Sequence, residues 1–326
     1  MSLIENIFIA NSIYAEFLYL LRFPEKTNNT LFLVGPSCSA IEVPNRIPII
    51  GPKDMKNLPL LRDHLVQQVW LLLRGRRVPC YGNVETIYSA FFVNTFPFYP
   101  ISDGLWDVEK FPVYLNDPGH FIKCYSVRYP GGLDKENERL EYINIQSCWK
   151  KLNKGEQATF ANRFGIEQKT LSLLEKRKVL LVTQPLSEDN IVSEADKIDV
   201  YRSIISQYNT DDIVIKPHPR ENTNWRNIFP DIPVIPQLAP AELLGLLVPH
   251  LERVATFFST AACNMLAPEK IDFYSKDFAK LKMMENGRFD GNKPLKPAAT
   301  FDLENTLKEK NNFNWLRLPD DKFYTE

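Results

Sequence analysis

The residues best suited to chemistry lie in the second half of the chain. Lys216-Pro217-His218-Pro219-Arg220 sets an imidazole between two prolines, with a cation at each end. Each proline fixes its own φ and biases the residue before it toward extended backbone, so the ring has few directions open to it. A rigid His between cations suits an anion such as a phosphate or a leaving-group oxygen. A structural turn that happens to contain a His is an equally good account of an isolated Pro-His-Pro.

Three further groups could join it. Ser259-Thr260 follows an apolar run and precedes Ala261-Ala262, the pattern of a helix start. Hydroxyls and backbone N–H groups there favour an anion, although a plain N-cap has the same signature. Glu242 falls in the first turn of a helical stretch, where a carboxylate can hold ribose hydroxyls or simply complement the helix dipole. Asp103-Gly104 sits among aromatics and prolines; it is a candidate general base, or a common turn pair. The chain holds no G-x-G-x-x-G, G-x-x-x-x-G-K-[ST], G-x-S-x-G, H-E-x-x-H or D-x-D. Dehydrogenase, P-loop, hydrolase and zincin chemistry therefore lose their usual support. Arg74-Gly75-Arg76-Arg77 reads as a solvated basic face, or as a contact for anionic lipid.

The elements that must position these residues alternate. Ile7–Ala10 reads as a buried strand, Asn11-Ser12 as a turn and helix cap, Tyr14–Leu21 as a helix and Thr30–Val34 as a second strand. Leu65–Leu73 reads as a helix, and Ile87–Phe92 as helix or strand. Thr95–Pro118, rich in Pro, Tyr, Phe and Trp, is expected to be an ordered loop-rich surface. After the polar stretch Lys150–Arg177 the alternation resumes. Strands are expected at Lys178–Thr183, Asp212–Lys216, Pro233–Pro236 and Arg253–Phe258, with helices at Glu194–Tyr208 and Pro240–Leu247. This order predicts an α/β protein with two doubly wound parallel sheets. The expected domains are 1–165 and 166–302, with a tail at 303–326 packing back on the first.

Together these residues resemble the bacterial sialyltransferases of two-domain GT-B architecture, especially the lipooligosaccharide sialyltransferases and their capsular and polysialyl relatives. Those families carry an acidic-Asp-Gly motif, then a His-Pro motif, then a Ser-Ser or Ser-Thr pair. Asp103-Gly104, His218-Pro219 and Ser259-Thr260 keep that order. Pro240-Ala241-Glu242-Leu243-Leu244 looks like their ribose-binding helix, and Val182–Glu188 like the opening of their second domain. Asn11-Ser12-Ile13-Tyr14 resembles their first strand–helix turn. Ser102 stands where the first motif usually has a carboxylate.

The resemblance implies two Rossmann-like domains facing a cleft and inverting transfer from CMP-sialic acid to a glycan hydroxyl. Asp103 would then be the base and His218 the group on the departing phosphate. Gln184, Lys216, Pro219, Glu242, Ser259 and Thr260 would hold the nucleotide, and Asn11 and Ser12 would lie on the acceptor side. No metal or other cofactor is expected. A CMP-Kdo transferase or a CDP-alditol phosphotransferase would fit the second domain as well, and an inactive nucleotide-sugar or glycan binder would fit Ser102.

Bulk properties agree with such an enzyme. A formal net charge of −1 argues against a nucleic-acid partner. The five cysteines are scattered without a C-x-x-C pair, as expected of a reducing cytoplasm. No apolar run spans a bilayer, so a cytoplasmic protein is expected, with any inner-membrane contact peripheral.

Overall fold

The computed structural model describes residues 3–38, 40–49, 58–84, 89–101, 111–127, 137–257, 259, 261–262, 265 and 270–274. The chain divides into two compact units, the first running to Asn153 and the second beginning at Lys154.

In the first unit β1 (Asn6–Ala10) and β2 (Thr30–Val34) are buried throughout. Alternate residues of a strand face opposite sides. Ile7, Ile9, Leu31 and Leu33 accordingly share one core, while Phe8 stacks on Tyr19 with ring centroids 4.6 Å apart. Tyr19 belongs to α1 (Ile13–Arg22), whose N-cap is Ser12. The Ser12 hydroxyl accepts the N–H groups of Tyr14 and Ala15 at 3.1 and 3.3 Å, a cap that contributes about 1 kcal/mol. Pro24, which cannot continue the helix, follows its end. On the opposite face α2 (Leu58–Leu73) adds Leu65, Val69 and Leu73, one helical turn apart, to the Ile7–Leu33 core.

Three-residue strands complete the sheet: β3 (Arg46–Pro48), β4 (Cys80–Gly82) and β5 (Phe98–Pro100), with α3 (Ser89–Thr95) between the last two. The order is β3-β2-β1-β4-β5, all parallel. Gly82 has φ 132°, and a Cβ there would lie 1.9 Å from the Ile9 carbonyl oxygen; β1 and β4 can pair this closely only with glycine. Beyond β5, α4 (Phe111–Leu115) leads to the parallel pair β6 (Cys124–Ser126) and β7 (Leu140–Tyr142), joined to the sheet by the bridges Phe98–Phe121 and Ile101–Tyr125. α5 (Ile145–Lys151) closes the unit.

The second unit opens with α6 (Lys154–Arg163) and α7 (Gln168–Leu174). Its sheet holds β8 (Val179–Val182), β9 (Ile213–Lys216), β10 (Arg253–Thr256) and β11 (Ile271–Phe273), in the parallel order β11-β10-β8-β9. Val234, flanked by Pro233 and Pro236, bridges Ile215 at the far side of β9. With Val234 counted as a strand, both sheets share the order 3-2-1-4-5 of a Rossmann-type fold. Leu181, Ile215 and Ala255 pack under Val200, Tyr201 and Ile204 of α8 (Glu194–Ile205). α9 (Trp225–Ile228) and α10 (Ala241–Leu247) fill the connections before β10.

The two α/β units with parallel sheets match the fold class read from the pattern. Local details differ. The aromatic stretch after Thr95 was expected as loop; it contains β5 and α4, because aromatic side chains suit a pleated surface and Phe98 is fully buried. The strand expected at Pro233–Pro236 shrinks to one bridge, since proline has no N–H for the ladder. The first unit ends at Asn153, where 165 was expected, because α6 groups with the second sheet. The tail at 303–326 lies outside the described residues. Among the described residues no helix is long and apolar enough to cross a membrane.

Candidate functional site

Open parallel sheets bind ligands beyond the carboxyl ends of their strands, where the order reverses. In the second unit that point lies between β8 and β10. The register sets Thr256, Val182 and Lys216 side by side. The residues just beyond them, Thr183-Gln184, Pro217-His218 and Phe257, therefore emerge along one edge. Ser259 follows the β10 end and is 7% exposed. Its N–H donates to the Thr256 hydroxyl at 3.0 Å, so this donor is already used within the turn. Ala261 and Ala262 form one tight turn; Thr260, expected beside Ser259, lies outside the described residues.

His218 is part-buried in a closed turn. The Glu221 N–H donates to the His218 carbonyl at 3.0 Å, and the His218 N–H donates back to Glu221 Oε2 at 2.6 Å. The Arg220 N–H donates to His218 Nδ1 at 3.1 Å. With Nδ1 accepting, a neutral ring carries its proton on Nε2 and offers it as a donor. Burial holds His218 down to about 4, and the charges of Arg220 and Lys216 add to this. The ring is therefore neutral at pH 7.

The surrounding charges are tied into the fold. Arg220 is gripped by both Asp189 oxygens, at 2.5 and 2.9 Å, which ties the loop after β8 to the His218 turn. Lys216 is 3% exposed, and its ammonium donates to the carbonyls of Pro217 and Gln237, the latter at 3.2 Å. Burial lowers it to about 8, against the opposing charges of Glu221 and Glu242. Lys216 thus stitches the strand end to the segment leading into α10. Glu242, 6% exposed, lies in the first turn of that helix behind Pro240. Pro219 is exposed, and Gln184 is half-buried with its N–H donating to the Tyr201 hydroxyl at 2.6 Å.

Beneath the turn lies a cluster that the sequence reading missed. Lys197 of α8 is fully buried. Its ammonium lies 2.8 Å from Glu188 Oε2 and 3.0 Å from Glu221 Oε1. Glu221 Oε2 also accepts from the Thr183 hydroxyl. Burial pushes Glu221 above the ordinary carboxylate range, opposed by Lys197. Burial acts the same way on Glu188, but the Lys197 ammonium and the Asn222 N–H outweigh it and bring Glu188 to about 2. A sequence signal existed: Lys197 precedes Val200, Tyr201 and Ile204 by three, four and seven positions, so it falls on the apolar stripe of its helix.

Of the expected site residues, the second unit gathers Gln184, Lys216, His218, Pro219, Glu242 and Ser259 at its carboxyl edge. Asn11 and Ser12 occupy the corresponding place in the first unit, just past β1, where the Asn11 side chain covers Gly35. Asp103 lies outside the described residues. Among the described residues no group of three His, Cys, Asp or Glu side chains is arranged to hold a metal ion.

Comparison with known proteins bears on both fold and family. A sialyltransferase from Photobacterium damselae, solved as its GT-B domain, superposes with a TM-score of 0.50 at 11% identity, over 82% of this chain and 89% of that one. A second structure of a sialyltransferase from that organism also gives 0.50 at 11% identity, over 83% and 73%. At such low identity this likeness establishes the GT-B fold alone. An uncharacterized protein of Haemophilus influenzae is 34% identical over 233 residues, 66% of this chain and 74% of that protein. The sequence model of glycosyltransferase family 52 matches residues 54–276, and the chain belongs to this family of bacterial sialyltransferases.

Proposed function

We propose that this glycosyltransferase moves sialic acid from CMP-sialic acid to a hydroxyl of a lipooligosaccharide- or capsule-type glycan, with inversion. The observation that carries the reading is the neutral His218, offering Nε2–H at the carboxyl edge of the second sheet. The acceptor oxygen attacks the anomeric carbon and loses its proton to the Asp103 carboxylate. The bond from that carbon to the phosphate oxygen breaks, and CMP leaves with the electron pair. A phosphate monoester has its second pKa at about 6. CMP can therefore depart without taking a proton, and His218 contributes a hydrogen bond to charge that grows in the transition state.

Ser259 and Thr260 share the phosphate, Glu242 takes the ribose, and Gln184, Lys216 and Pro219 line the nucleotide. Asn11 and Ser12 are assigned to acceptor binding. The reading assigns no metal, because hydrogen bonds suffice for a monophosphate leaving group. It also puts the protein in the cytoplasm with peripheral contact to the inner membrane. Leu71 and Leu72, 78% and 36% exposed, precede the exposed Arg74 and Arg77 and support that contact.

Mass spectrometry after incubation with CMP-sialic acid, CMP-Kdo and CDP-glycerol tests the donor. Sialyl transfer is expected; transfer from either other donor alone, or CMP binding with no transfer, would overturn the reading. His218→Ala and Asp103→Ala should each lower turnover at least about a hundredfold. Unchanged turnover removes that residue from the mechanism.

A further inference from the structure

We propose that Glu221 is a positioning residue for His218: a buried carboxylate, backed by the buried Lys197 ammonium, that locks the turn which directs the imidazole. The catalytic arm of this proposal rests on the function proposed above; its structural arm does not.

The geometry is reciprocal. Glu221 closes the turn from both ends, accepting the His218 N–H at 2.6 Å and donating its own N–H to the His218 carbonyl at 3.0 Å. Within that closed turn the Arg220 N–H comes to 3.1 Å from Nδ1, and this contact sets which ring nitrogen carries the proton. Three other elements hold Glu221. The Thr183 hydroxyl from the end of β8 donates to its Oε2, Lys197 of α8 lies 3.0 Å from its Oε1, and Gln237 Nε2 donates to its carbonyl at 2.6 Å.

Each of these contacts has a physical reason. An ionised acceptor binds a backbone N–H about twice as strongly as a neutral one. A buried carboxylate needs a cation and further donors to offset its lost hydration, and Lys197 and Thr183 supply them. Glu221 is 4% exposed and sits at the base of the turn, so it acts through His218 and not on the substrate.

The test reads the ring itself. In the wild-type protein, ¹⁵N NMR of His218 should show one neutral tautomer, with the proton on Nε2. In Glu221→Leu the turn loses its acceptor, and averaged shifts of two tautomers are expected. With CMP-sialic acid, kcat should fall about 10–100-fold while the donor KM changes less than about threefold, because misplacement of a catalytic group acts on the transition state. Glu221→Leu leaves the buried Lys197 with Glu188 as its one close carboxylate and can fail to fold. Glu221→Leu/Lys197→Met/Glu188→Gln removes all three charges of the buried cluster together, an exchange that folds commonly tolerate, and should show the same two changes.

A folded variant that keeps the single Nε2–H tautomer overturns the proposal, whatever its rate. So does a tautomer mixture accompanied by unchanged kcat. If the wild-type protein does not use CMP-sialic acid, the function proposed above fails, and the tautomer measurement alone decides the role of Glu221.

Discussion

Mild acid should weaken the second unit through His218 before it reaches Glu188 beneath. Burial, with Arg220 and Lys216 adding, holds the folded ring down to about 4, against an ordinary 6.5. Between these values the unfolded chain binds a proton that the folded chain does not. The stability tied to the neutral ring is therefore present at pH 7 and lost as pH falls from 6.5 toward 4. At about 1.4 kcal/mol per pH unit, going from pH 7 to pH 5 removes about 2 kcal/mol. Partial exposure of the ring to water brings this nearer 1–2 kcal/mol, by roughly the screening expected at a surface.

The window is separable from that of Glu188. Its carboxyl is lowered from 4.5 to about 2, so its contribution survives at pH 5 and is lost only between those two values. Urea denaturation of wild type and His218→Asn at pH 7 and pH 5 isolates the effect, because every other titrating group is common to both. Wild type should lose about 1–2 kcal/mol more than the variant. Equal losses would refute the reasoning, since they would mean that the folded ring gains its proton as readily as the unfolded one.

Two other perturbations test distant parts of the chain. Gly82→Ala should destabilise the first unit by about 3 kcal/mol or more, through a strained φ and a Cβ driven against the Ile9 backbone; a loss below about 1 kcal/mol in urea denaturation would mean that β1 and β4 can separate freely. Leu71→Glu/Arg77→Glu should weaken sedimentation with phosphatidylglycerol vesicles by about a hundredfold, from about 2 kcal/mol for a buried leucine and about 1 for a cation. Binding that does not differ between variant and wild type would sink the membrane contact.

Much of this architecture was legible in the residues. The strands Asn6–Ala10 and Thr30–Val34 announce themselves by the apolar runs at 7–10 and 31–34, because a parallel strand is covered on both faces. Ser12 marks a helix start by its capping chemistry. The three-residue strands β3, β4, β6, β7 and β11 are too short for any periodicity to show. His218 drew notice because two prolines frame it. Glu221, three residues on, did not, because nothing local separates a buried glutamate from a solvated one. Its significance depends on Lys197 and Thr183, which only the fold brings near.

Val234 has a consequence for how copies of this chain meet. Ile215 donates its N–H to the Pro233 carbonyl, and the Ile235 N–H donates to the Ile215 carbonyl, so residues 233 and 235 turn their backbone inward. The outward-facing positions are 234 and 236, and proline at 236 has no N–H to give. Along this margin a passing strand would find the single donor of Val234, with no second one next to it. Unpaired sheet edges are templates for aggregation, and interrupting their donors is one of the ways proteins blunt them. The proline pair that shortened this strand also leaves the sheet a margin on which another chain can gain no purchase.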